Sequence, residues 1–206
     1  TECVAGSFSE TEGSPTCTLC RAGTYGTTVG ASSKDMGCIA CPIGKYSFPG
    51  STGCRDAPPG SYVNITGASD STPCAAGRYQ ELGDQTSCVI APPGRYAGKG
   101  AAVSILCSPG KYRQASGAPN EESCLVCPLG KHSVLNRTVC ESCGKGTYSD
   151  DIAGSSDCLS CPRGTYLDQF GGNARILCKD CDAGKYAPQK GSDTCLLCGK
   201  DTYTAN

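Results

Sequence analysis

The 206-residue chain has no tryptophan, one methionine and one histidine. Leu, Ile, Val and Phe together supply about 14% of it, below the roughly 20% at which a conventional core becomes doubtful. No run of 18 apolar residues occurs, so no segment reads as a membrane-spanning helix. The formal charge of −1 gives no reason to expect nucleic acid or anionic lipid as a partner. No glycine-rich phosphate loop is present, and acidic pairs such as Glu121/Glu122 and Asp150/Asp151 fall in variable stretches as solvated charges. No catalytic residue, metal site or cofactor is therefore expected, and the chain does not read as an enzyme.

Cysteine and glycine fill the space left by these absences. Nineteen cysteines, about 9% of residues, mark a disulfide scaffold made in an oxidising compartment, hence a secreted or cell-surface protein. The chain opens at Thr1-Glu2-Cys3 without a signal segment, and it reads as a mature or internal piece of a longer secreted precursor.

The glycines mark a repeat. The pattern Gly-x-aromatic ends in Phe8, Tyr25, Tyr46, Tyr62, Tyr79, Tyr96, Tyr112, His132, Tyr148, Tyr166 and Tyr186, and in Tyr203 with Asp201 in place of the glycine, twelve copies spaced 16 to 21 residues apart. A second glycine often stands four residues before the next cysteine, as in Gly13/Cys17, Gly50/Cys54 and Gly191/Cys195. Asn136 replaces that glycine in one copy and is expected to take the left-handed conformation there. His132 occupies the aromatic slot and reads as a packing ring rather than a catalytic base. The basic residues after repeat glycines (Lys45, Arg78, Arg95, Lys111, Lys131 and Lys185) read as a solvated stripe or as cations stacked on rings.

Each copy predicts a hairpin-like ribbon too small to bury a core alone, with no helix longer than a turn or two. Residues 1–206 thus read as one continuous, elongated tandem-repeat rod of small, disulfide-rich, mostly β and irregular repeats of about 18 residues.

Defects in the pattern indicate how the cysteines pair. Seven C-x-x-C pairs occur, and Cys54, Cys74, Cys88 and Cys107 remain as halves of four more, whose other members are Ala57, Ser71, Ala91 and Ser104. If the second cysteine of each pair bonds the first of the next, Ala57 is lost together with Ser71, and Ala91 together with Ser104. The rule gives Cys3–Cys17, Cys20–Cys38, Cys41–Cys54, Cys74–Cys88, Cys107–Cys124, Cys127–Cys140, Cys143–Cys158, Cys161–Cys178 and Cys181–Cys195, and strands only Cys198. Residues 54–107 form a variant stretch lacking two bridges, expected to be the most deformable part of the array. Zinc is the rival reading, since Cys17/Cys20 and Cys38/Cys41 have ribbon-like spacing, but it would leave the lone cysteines as abandoned half-sites.

Two N-glycosylation sequons occur, at Asn64 (Asn-Ile-Thr) and Asn136 (Asn-Arg-Thr). In a hydroxylating source, Pro58-Pro59 and Pro92-Pro93 would offer further glycan sites beside the lost bridges.

The run Cys38-Ile-Ala-Cys-Pro-Ile-Gly-Lys-Tyr-Ser, with Gly50 and Cys54 following, resembles the ephrin-receptor-like cysteine-rich repeat, as does Cys158-Leu-Ser-Cys-Pro-Arg-Gly-Thr-Tyr. That family is related to the growth-factor-receptor and tumour-necrosis-factor-receptor cysteine-rich modules, and the resemblance covers the whole chain as tandem copies. It implies an extracellular, EGF-like architecture. The function expected on this basis is a structural glycoprotein whose repeats build a filament, appendage or surface coat. The alternative is the stalk of a receptor or adhesion ectodomain. The expected partners are copies of the chain itself or other surface proteins, with glycans attached covalently.

Overall fold

The computed structural model describes residues 2–199, and the last aromatic copy, at Tyr203, lies outside them. The structure is built from eleven two-stranded sheets, one four-residue helix (Lys34–Gly37) and two short 3-10 turns, Glu121–Ser123 and Arg175–Leu177, among the described residues. Each Gly-x-aromatic segment supplies one strand, and its partner is the residue pair between the cysteines that follow. Ser7–Phe8 pairs antiparallel with Thr18–Leu19, Lys45–Tyr46 with Arg55–Asp56, and Thr147–Tyr148 with Leu159–Ser160. Two or three residues per strand is far below the usual strand length, so no ribbon is stable alone. The helix occupies an insertion before Cys38, where the Ser33 hydroxyl accepts a bond from the Met36 N–H at 3.3 Å.

Two compact units are present. One comprises Thr1–Ala91, Ala97–Ile105 and Gly117–Asn120, the other Pro92–Tyr96, Leu106–Ser116 and Glu121–Asn206. The same internal order recurs in each. In the first, the Cys20 N–H donates to the Gly6 carbonyl at 2.8 Å, and the Gly50 N–H donates to the Cys20 carbonyl at 2.9 Å. A repeat is thereby tied to the next repeat and to the one after it. In the second, Cys161 bonds Gly146 and Gly191 in the same way, at 2.8 and 2.9 Å. A further row of bonds runs from the residue after each aromatic: Ser47 N–H to the Ala68 carbonyl at 3.3 Å, and Ser149 N–H to the Gly172 carbonyl at 2.8 Å. Backbone groups that a larger domain would satisfy within long strands are here satisfied between successive repeats.

Glycine makes this order possible. Gly23 has φ +83°, and a Cβ on it would overlap the carbonyl of Gly67, two repeats further on. Gly146 and Gly191 stand in the same relationship in the second unit. A side chain at either first glycine would meet backbone that cannot rotate away.

Burial matches this frame. Fully buried side chains are mostly cysteine, serine and alanine, and the ring positions are largely half-buried. Two small clusters carry what apolar packing there is: Ala57, Val63 and Ala68 with Tyr46, and Tyr148, Cys161 and Leu167 with Leu177 and Cys178. No conventional core forms.

Candidate functional site

The chemistry of this chain is concentrated in its bridges and in the surface they hold in place. Nine disulfides join Cys3–Cys17, Cys20–Cys38, Cys41–Cys54, Cys74–Cys88, Cys107–Cys124, Cys127–Cys140, Cys143–Cys158, Cys161–Cys178 and Cys181–Cys195, with Cα separations of 5.5 to 5.9 Å. Most bridges run from a completely buried second cysteine, such as Cys20, Cys41, Cys74 or Cys161, to a more exposed first cysteine of the following pair. Cys198 is free and half-buried.

At the two vacated bridges the backbone order persists. Ala57 and Ala91 are fully buried in the slot of a second cysteine, and their N–H groups reach the Gly44 and Gly77 carbonyls at 2.8 and 2.9 Å. Ser71 and Ser104 take the outer slot, Ser71 half-buried and Ser104 at 9% exposure. Ala57 packs with Val63, Ala68 and Tyr46, and Leu167 packs in the same way beside the intact Cys161–Cys178 bridge. Pro58-Pro59 and Pro92-Pro93 are exposed beside the two vacated sites.

His132 sits half-buried in its strand, with Nδ1 3.3 Å from the Cys158 sulfur. His132, Cys143 and Cys158 form the one cluster of potential metal ligands among the described residues, but the two cysteines share a bridge and offer no thiolate.

Of the repeat's basic residues, Lys45, Lys111 and Lys185 pair with acids, and Arg78 Nη1 donates to the Cys88 carbonyl at 3.0 Å. Lys45 contacts Asp56, and its Nζ lies 3.4 Å from Asp84. Lys111 is 3.4 Å from Glu121, and Lys185 is 3.1 Å from Asp182. The cations over rings are others: Arg55 over Phe48, Lys145 over Phe170 and Lys179 over Tyr166. The hydrogen bond to Asp56 holds the Lys45 pKa above the usual lysine value. Burial pushes the Glu121 carboxyl up, but its bonds from Ser108 and Lys111 outweigh this and hold it low. The hydrogen bond from Lys179 does the same for Asp168.

Both sequon asparagines are exposed. Asn136 is not the left-handed residue of its turn; Arg137 is, at φ +58°. The reason lies in the side chains. Asn136 Oδ1 accepts bonds from the Thr138 N–H at 3.3 Å and the Thr138 hydroxyl at 2.9 Å, while Arg137 Nη1 donates to Ser133 Oγ at 2.8 Å. This Asx turn moves the left-handed position one residue along. Asp84, at φ +61°, is a second non-glycine in the left-handed region, standing four residues before Cys88 in the slot of a repeat glycine. Spacing alone marks Asp84 as that slot.

Exposed apolar side chains recur at both residues of the strand between the cysteines; at the second they are Leu19, Ile90, Leu106, Val126 and Leu197. The residue after the first cysteine of a pair, or after the position that replaces it, is exposed at Ile39, Val89, Ile105, Leu125, Leu159 and Leu196, each roughly half accessible at 49–55%. All of them sit on the strand that pairs with a Gly-x-aromatic segment. No helix among the described residues is long and apolar enough to cross a membrane.

Comparison with known proteins agrees with this architecture. Residues 130–176 match the family described as tyrosine-protein kinase ephrin type A/B receptor-like. The chain is 29% identical over 178 residues to the Mus musculus "Signal peptide, CUB and EGF-like domain-containing protein 2", an alignment covering 85% of this chain and 16% of that protein. It is also 29% identical over 116 residues to the Mus musculus "Sushi, von Willebrand factor type A, EGF and pentraxin domain-containing protein 1", covering 48% of this chain and 3% of that protein. The chain thus spans a small fraction of the curated relatives that it matches. It is a tandem array of disulfide-bonded repeats, of which residues 130–176 are similar to the ephrin-receptor-like module.

Proposed function

We propose that this chain is a structural segment of an extracellular glycoprotein, secreted or held at the cell surface, whose repeats associate with further copies to build a filament, appendage or coat. The observation that carries the reading is the recurrence of half-exposed apolar side chains at Ile39, Val89, Ile105, Leu125, Leu159 and Leu196. Single exposed apolar residues are ordinary on a monomer, but the same strand position filled repeatedly fits a surface covered by a partner of the same periodicity. The nine bridges support an oxidising compartment. The repeat supplies cross-links and spacing, and the role proposed is structural rather than enzymatic.

A second reading is favoured by a different observation. The matched relatives are much longer proteins, of which this chain covers 16% and 3%, so the array also suits a spacer within a multidomain receptor or adhesion protein. Electron microscopy of the secreted chain over a range of concentrations separates the two. The filament reading predicts ordered polymers, weakened by Ile39→Lys or Leu125→Lys, since both sites are exposed and tolerate charge without unfolding. Monodisperse single molecules at every concentration would contradict it and leave the spacer.

A further inference from the structure

Beside Asn136 lies a groove of about 660 Å³, all of it within the second compact unit. Pro93 and Leu106 form one part of its lining, Val134, Leu135 and Val139 another, and Arg95 and Glu141 are its charged members. The volume falls within the roughly 300–1,000 Å³ of small-molecule sites, and an apolar wall with a few polar groups is the usual make-up of such sites. Asn136 itself is part of the lining.

The turn that carries Asn136 is held firmly. The Val134 N–H reaches the Val139 carbonyl at 3.3 Å, the Arg137 N–H reaches the Val134 carbonyl at 2.9 Å, and the Arg137 carbonyl accepts from the Arg113 N–H at 2.8 Å. The two bonds from Thr138 commit Asn136 Oδ1 to the turn and present Nδ2 as the atom for attachment. Next to it, Leu135 is 92% exposed.

We infer that this groove is the seat of the chain's own N-linked glycan: the first sugars attached at Asn136 fold back over Leu135, Val134 and Val139 instead of extending into solvent. The inference rests on the reading of Asn136 as a glycosylated residue. Attachment joins Nδ2 to the anomeric carbon of an oligosaccharide diphosphate donor; the C–O bond to the diphosphate breaks, the diphosphate leaves and the amide loses one proton. The N-acetylhexosamine that begins such a glycan has a C–H face and an acetyl methyl, which suit the valine and leucine wall. Its hydroxyl and amide groups suit Arg95, Glu141 and water. Because attachment is covalent and at the groove itself, the sugar is present at high effective concentration and a weak contact suffices to dock it. At Asn64 the adjoining groove is smaller, about 350 Å³, and is lined by Tyr62, Arg78, Thr86 and Ser87 among others, without an aliphatic wall. That site serves as the internal comparison.

The test uses the chain secreted from a glycosylating eukaryotic cell. Glycopeptide mapping first gives occupancy at both asparagines, and peptide-N-glycosidase release is then followed at each site on the native protein. Docking for about nine-tenths of the time predicts release at Asn136 roughly tenfold slower than at Asn64. It also predicts nuclear Overhauser contacts between the acetyl methyl and the Val134 and Val139 methyls. Leu135→Asp, at an exposed position, should bring the Asn136 rate close to the Asn64 rate. Absence of glycan at Asn136 overturns the glycosylation reading there and this inference with it. Occupied Asn136 with equal release rates and no sugar–methyl contacts overturns the groove assignment alone. Groove methyl signals that shift with protein concentration, without sugar contacts, would assign the groove to a second copy of the chain and likewise overturn it.

Discussion

Gly23 lies against the backbone of Gly67, two repeats further along the chain, so closely that a methyl group on Gly23 would overlap the Gly67 carbonyl. The Cys41 N–H bonds the Gly23 carbonyl at 2.9 Å, and the Gly67 N–H bonds the Cys41 carbonyl at 2.8 Å, so one cysteine joins both glycines. This three-point tie recurs within each compact unit and sets the spacing of everything else on the surface.

Substitution at the tie should therefore cost more than substitution at a glycine that is only left-handed. Gly13 has φ +75° with open space around its would-be Cβ. Gly13→Ala should destabilise by about 1–2 kcal/mol, the cost of a left-handed alanine. Gly23→Ala should cost about 3 kcal/mol or more, since overpacking adds about 1–3 kcal/mol to the same strain. Denaturant titration without reductant compares the two, and equal costs would show that the Gly67 contact is not under load.

The vacated bridges offer a gain-of-function test. Ala57→Cys combined with Ser71→Cys should form a tenth disulfide in the oxidising compartment, read as protection from alkylation and a mass lower by two hydrogen atoms than that of the dithiol. The new loop should add on the order of 3 kcal/mol in the chain-entropy model. Two alkylated thiols would contradict the equivalence of these positions with the bridged pairs.

Val63 belongs to the small apolar cluster beside the first vacated bridge. It is 2% exposed and sits with Ala57, Ala68 and Tyr46. Val63→Ala should destabilise by about 1–3 kcal/mol, in the range of buried aliphatic truncations. The change should also raise hydrogen exchange at the Ala57 N–H, which otherwise bonds Gly44. Unchanged exchange would separate Val63 from the vacated bridge.

How much of this was legible beforehand depends on the distance involved. Strand, turn and cysteine positions follow from patterns a few residues long, and the ribbons sit where the Gly-x-aromatic segments stand. The glycine tie spans 44 residues between Gly23 and Gly67, and no local pattern names the partner of either one. Arg137 holds the left-handed place beside Asn136 because its own side chain bonds Ser133 while Thr138 bonds the Asn136 side chain, which only folded geometry reveals. The basic residues were readable as a recurring position, but their partners differ: Asp56 on the paired strand and Asp84 in a loop for Lys45, Glu121 for Lys111, and Asp182 three residues back for Lys185.

Ionic contacts set the shape of the stability profile against pH. Glu121 and Asp168 have folded pKa values below their ordinary ones, so what they contribute is present above the ordinary carboxylate range and lost as pH falls through the folded values. Lys45 is raised, so its contribution is present below the ordinary lysine value and lost as pH rises through the folded one. Melting temperature should form a plateau between about pH 5 and pH 10, falling on both sides. Asp168→Asn should flatten the acid limb slightly and Lys45→Met the alkaline limb, both less so at high salt, since the groups are exposed. Cys198 must be alkylated first, to prevent thiol exchange at high pH. A melting temperature that climbs below pH 4 would reverse the assigned signs.

The order in which successive repeats are cross-linked is the claim on which the rest depends, and non-reducing peptide mapping of the secreted chain tests it most directly. The account predicts cross-linked peptides joining Cys20 to Cys38, Cys41 to Cys54 and Cys74 to Cys88, with Cys198 as the one alkylatable thiol of the segment. Cys20 linked to Cys41, or any bridge that skips a repeat, would contradict it.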